Sequence, residues 1–218
     1  MPDPFAVKDC ALITIGTGER AQNLRELRDR VQTTHQGCIY YHFWGGQLRA
    51  SFDDPEYQND FAAWAWHGLH EARLAEKLAL IDASEYPDLE DLRREVIEVI
   101  EERLEESEHV PWSRTDHQFY FMRSQIVVFD TNVRIQNVEG LALYLPRLPT
   151  SSIFYHFIDA RRRTSSRRDD FSEWLMGFGY EHAALVRKFG SIDPYFSTLT
   201  ELRSELSATM NSYVCLMR

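Results

Sequence analysis

The feature that most constrains this chain is internal. Residues 5–43 align without a gap on residues 119–157 at a constant offset of 114, and ten of the 39 positions are identical. Ordinary composition gives about two or three. The identities are Phe5, Thr17, Arg20, Gln22, Asn23, Leu27, Ile39, Tyr41, His42 and Phe43, repeated as Phe119, Thr131, Arg134, Gln136, Asn137, Leu141, Ile153, Tyr155, His156 and Phe157. After a loop four residues shorter in the second half, Asp60, Phe61, Trp64 and Glu71 fall on Asp170, Phe171, Trp174 and Glu181. Leu89, Leu92, Arg93 and Glu95 fall on Leu199, Leu202, Arg203 and Glu205. The expectation is two tandem copies of one module, over residues 1–107 and 118–218, joined by a linker at 108–117 and related by a pseudo-twofold.

Each copy starts with a short apolar, β-branched stretch, ALITI or QIVVF, which predicts a strand. Thr17 or Thr131 stands where a helix N-cap belongs, and Ala21, Leu24, Leu27 and Val31, like Ile135, Val138, Leu141 and Leu145, recur at helical spacing. CIYYHFW and SIFYHFI read as a second strand covered on both faces. Two further helices follow, one capped by Asp60 or Asp170 and one starting near Asp88 or Thr198. The predicted fold is therefore a helix-rich α/β protein of two βαβαα repeats, each with a short parallel strand pair joined by a right-handed crossover.

Hydrophobic residues make up 44% and aromatic residues 13% of the 218, enough for a packed core. No run approaches the roughly eighteen apolar residues of a membrane span, and MPDPFAVKDC lacks a secretion signal, so the reading is a cytoplasmic protein without a membrane role. Cys10, Cys38 and Cys215 are odd in number and lack metal spacing, which favours free thiols and no metal site. There is no phosphate loop with lysine, no dinucleotide glycine pattern and no readable triad. No cofactor is expected.

The strings TGERAQNL, IYYHF, NDFAAWAW, ID and DLEDLRREV resemble, in order and spacing, a bacterial and archaeal domain-of-unknown-function family, family 5752. The likeness covers nearly the whole chain. The second copy departs from it where Asp130-Thr131-Asn132 replaces the Thr17-Gly18 pair. The resemblance implies association with carbohydrate-transferring enzymes, and it implies no catalytic residue or cofactor.

The repeated polar residues mark where a ligand would sit. On a parallel sheet Thr17, Gly18, Arg20, Asn23 and His42, with Thr131, Arg134, Asn137 and His156, would gather at the carboxyl edge, beside a helix N-terminus that attracts anions. Arginine would clamp a phosphate or carboxylate, and histidine would be the acid/base. The structural alternatives carry more weight: Thr17 as a cap, His42 as a buried hydrogen-bonded imidazole, and Trp64 and Trp174 as core or interface residues.

Charge is divided unevenly, −10 over residues 5–107 and +2 over 119–218. Arg161, Arg162, Arg163, Arg167 and Arg168 form a basic loop where the first copy carries Asp53, Asp54, Glu56 and Asp60, a candidate contact for an acidic protein partner or another copy of the chain. A net charge of −10 argues against nucleic acid. The sequence thus favours a binding or regulatory module with candidate anion sites at helix ends. The alternative is a small enzyme acting on a phosphorylated or sugar substrate with His42 or His156 as acid/base.

Overall fold

The computed structural model describes residues 2–48, 57–86, 88–106, 115, 117–194 and 198–217. The acidic loop at Asp53, Asp54 and Glu56 and most of the linker at 108–117 lie outside these residues. The first element is a long strand, β1 (Phe5–Ala21), followed by α1 (Leu24–Thr33), α2 (Gln36–Trp44), α3 (Asp60–His67), α4 (Ala72–Ala79) and α5 (Leu89–Glu106). A second long strand, β2 (Phe119–Ile135), leads to α6 (Val138–Tyr144), α7 (Thr150–Ile153), a π-helical turn over Phe154–Asp159, α8 (Ala160–Arg163), α9 (Asp170–Met176), α10 (Ala183–Gly190) and α11 (Leu199–Leu216).

The parallel strand pairs do not exist: β1 and β2 form one two-stranded antiparallel sheet. The register shows in two side-chain bonds, Thr17 Oγ1 to the Phe121 carbonyl (2.7 Å) and Thr131 Oγ1 to the Val7 carbonyl (2.6 Å). One partner rises in number as the other falls. The expected second strands are helices instead. In α2 every residue from Gly37 to Trp44 is buried, and a short segment apolar on all sides satisfies a strand or an enclosed helix equally by pattern. The helix closes its own backbone hydrogen bonds and needs no neighbouring strand. His35 caps it, Nδ1 accepting from the Gly37 amide at 2.9 Å. Gly37 allows the close approach that follows, since a Cβ there would lie 2.8 Å from the Ser124 carbonyl oxygen.

Two compact units result, Leu12–Gln125 and Met1–Ala11 with Ile126–Arg218. The division passes through both strands, so each unit holds the opening half of one strand and the closing half of the other. In the first unit Leu24, Leu27 and Val31 of α1 and Leu92, Val96 and Ile100 of α5 are buried, and α1 packs on α5. Each such side chain contributes about 1.5–3 kcal/mol of burial. In the other unit α11 packs on α6 and α10, burying Leu202, Leu206 and Met210.

Thr17 and Thr131 do not cap helices, because the strands run on to Ala21 and Ile135. The caps are Asn23, accepting from the Glu26 amide, and Asn137, accepting from Gly140. Similarly Asn59 and Asp169, not Asp60 and Asp170, cap α3 and α9. The third helix of each half starts where expected: Thr198 forms a capping box with Glu201, and Asp88 accepts from the Glu90 amide at 2.6 Å. Among the described residues no helix is long and apolar enough to cross a membrane.

Candidate functional site

The repeated histidines sit on α2 and on the π-helical turn, among aromatic rings. In the first unit His42 Nδ1 is 2.7 Å from Asp60 Oδ2, and its Nε2 accepts from the Met122 amide of β2 at 3.2 Å. In the other, His156 Nδ1 is 2.7 Å from Asp170 Oδ2 and Nε2 accepts from the Lys8 amide of β1 at 2.9 Å. An Nε2 that accepts must be unprotonated, so the ring proton is on Nδ1 and is donated to the carboxylate. Both imidazoles are enclosed, His42 3% and His156 2% exposed, packed on Phe119 and Phe5 respectively. Each ring pins a strand to a helical core and fixes the first turn of the next helix.

The surrounding bonds recur in the same way. Trp64 Nε1 donates to the His117 carbonyl at 2.5 Å and Trp174 Nε1 to the Asp3 carbonyl at 2.8 Å. Ser124 Oγ donates to the Gly37 carbonyl and Cys10 Sγ to the Ser151 carbonyl, at 3.5 and 3.3 Å. Burial pushes the Cys10 thiol up to about 12, with the Asp9 charge adding to it. It is a donor and packing group at neutral pH.

Thr17 and His42 do converge on β2, at Phe121 and Met122, but through these fold-holding bonds. Arg20 stands apart on the exposed strand surface, Nη1 donating to Gln118 Oε1 at 3.3 Å, and Arg134 pairs with Asp130 at 2.5 Å. The N-terminus of α1 is closed by its own groups: Asn23 Oδ1 takes the Glu26 amide at 2.8 Å, and the Glu26 carboxylate takes the Gln22 amide at 2.9 Å. A carboxylate at that helix end repels an anion. Gly18 has φ +79° and the aligned Asn132 +62°. Both follow a threonine whose Oγ1 accepts from the amide two residues on, at 3.1 and 3.3 Å. The replacement of Gly18 by asparagine therefore keeps a left-handed turn, since asparagine is among the few other residues that adopt it.

The five arginines are not one basic loop. Arg161 to Arg163 form α8 and turn inward. Arg163 Nε binds the enclosed Asp159 at 2.7 Å, while its Nη2 reaches the Tyr155 carbonyl at 2.9 Å and Asp170 Oδ2 at 3.1 Å. Its guanidinium lies 4.0 Å over the Tyr155 ring. Arg162 also binds Asp159, at 3.3 Å, and Arg161 covers the Phe157 ring and donates to the Ile192 carbonyl. Arg167 and Arg168 are exposed. The carboxylate partners Asp60 and Asp170 were legible as aligned acids and read as helix caps; their offset from the histidines, 18 residues in one half and 14 in the other, gave no signal of the pairing. Among the described residues no cluster of three or more His, Cys, Asp or Glu could hold a metal ion.

A family model, described as a family of unknown function (DUF5752), matches residues 2–211. The chain belongs to the DUF5752 family. OrfY from Thermoproteus tenax, a solved structure, is similar to it at 26% identity with a TM-score of 0.80, over 96% of this chain and 94% of that one. No curated protein matches. This DUF5752 member is thus similar in fold to OrfY over nearly the full length of both chains.

Proposed function

We propose that this DUF5752 chain is a non-catalytic binding module that docks a protein partner on the exposed part of its long strands. One observation carries this: Val127, Val128 and Phe129 are consecutive in β2 and all exposed, so apolar side chains stand on both faces of that strand. An uncovered apolar strand is a surface that proteins ordinarily hide or use. The enzyme reading loses its acid/base, because at His42 and His156 both ring nitrogens are engaged and enclosed. The partner to try first is a carbohydrate-transferring enzyme, the association that the family resemblance implies. In cells of the source organism, a photo-crosslinking residue at Val128 should capture one such enzyme, and Phe129→Asp should abolish the capture while leaving the fold unchanged. A crosslink unaffected by Phe129→Asp would overturn the reading.

We also infer a tandem duplication, with copies at 1–107 and 118–218. It is supported by the recurrence, 114 residues apart, of the strand-to-strand bond of Thr17 in that of Thr131, and of the strand-to-helix bonds of His42 and Ser124 in those of His156 and Cys10. On this reading the copies exchange the opening halves of their strands.

A further inference from the structure

A hollow of about 520 Å³ lies between α6 and α11, within the unit made by residues 1–11 and 126–218, and its lining includes no strand residue. Leu143, Pro146 and Val214 give it an apolar wall, and Leu143 is 57% exposed. Charge enters the lining at two points, Glu139 in the first turn of α6 and Arg147 in the helical turn Leu145–Arg147 that follows it. Both are exposed, and among the described residues neither makes an ion pair within the chain.

The corresponding seam of the other unit, between α1 and α5, is charged. By alignment Arg28 and Asp29 stand where Ala142 and Leu143 do, and Glu101 and Glu105 where Asn211 and Cys215 do. Arg28 Nη1 closes on Glu101 Oε1 at 2.9 Å, so that seam is bridged by an ion pair and faces water. The hollow has lost those four charges and gained an exposed leucine. Loss of charge around an apolar centre, with charges kept at the margin, is the composition of a protein interface.

We propose that this hollow is the contact surface between two copies of the chain, related by a twofold axis at Leu143. The arrangement of its charges names the occupant. Leu143 is midway in sequence between Glu139 and Arg147. With α6 antiparallel to its mate across the axis, Leu143 meets the partner's Leu143 and Glu139 meets the partner's Arg147, while Arg147 meets the partner's Glu139. Two unpaired charges on each copy become two ion pairs. A twofold dimer requires a surface that is its own complement, and an unrelated partner would not require opposite charges placed evenly about one apolar residue. The contact is independent of the strand docking proposed above.

Sedimentation equilibrium of the full chain should show a dimer in the micromolar range. Leu143→Asp, at an exposed position, should weaken it by about thirtyfold or more, the loss expected of a central interface residue. Glu139→Arg and Arg147→Glu should each weaken it about tenfold, because each sets like charges face to face twice. The two reversals together should restore it, since the pairs then form with their signs exchanged. Restoration cannot come from a variant that has lost its fold. The proposal is overturned if the chain stays monomeric, if a dimer survives Leu143→Asp unchanged, or if the double reversal associates no better than the single ones.

Discussion

His42 and Asp60 share a short hydrogen bond, 2.7 Å from Nδ1 to Oδ2, while the opposite nitrogen of the same ring holds the Met122 amide. The imidazole joins a strand to two helices from within the core. Replacing it with alanine leaves a buried amide unpaired and a cavity among aromatic rings. His42→Ala and His156→Ala should each cost roughly 2–4 kcal/mol in urea unfolding. Asp60→Asn should cost less than Asp170→Asn, because the Asp60 side chain is 45% exposed against 21% for Asp170, which Arg163 also holds.

Backbone handedness predicts a different pattern at the strand turn. With φ +79° and open space around it, Gly18 should accept asparagine with little change, whereas Gly18→Val should cost about 1–2 kcal/mol or more. Thermal melts of the two variants decide it.

Thiol reactivity should separate the cysteines. Cys10 and Cys38 are buried and burial raises both thiols, while Cys215 is exposed. Native protein treated with iodoacetamide at pH 8 should be alkylated at Cys215 alone, with the other two reacting after denaturation. Peptide mass spectrometry reads the order.

Asp130 gives a pH signature. Its hydrogen bond from Arg134, with the Asn132 amide, lowers the carboxyl from 3.8 to about 2. A lowered carboxyl pKa stabilises the folded state above the unfolded value and loses that contribution as pH falls through the folded one. The melting-temperature difference between wild type and Asp130→Asn should therefore be full above about pH 5 and shrink from pH 4 to pH 2. A difference independent of pH would show that the pair does not form.

Much of the outline was legible because it rests on periodicity. The leading strands, the buried face of α1 at Leu24, Leu27 and Val31, and the start of α11 at Thr198 all follow from spacing and capping chemistry. The segment from Cys38 to Trp44 was not, because a run buried on every side has no polar face to reveal its period. Thr17 was misplaced for a related reason: a threonine bonding the amide two residues on imitates a cap whether or not a helix follows. At Asn59-Asp60 and Asp169-Asp170 two capping residues stand in succession, and only the histidine's need for a carboxylate decides between them.

The division of each strand between two cores has a consequence for the chain's history. A unit whose aromatic floor is laid by a strand distant in sequence, Phe5 under His156 or Phe119 under His42, is incomplete without that strand. On the duplication inferred above, the single-copy ancestor lived as a pair of molecules in a mutual handshake, and gene fusion replaced an association that depended on concentration with a covalent one. Once joined, the partners no longer had to be identical.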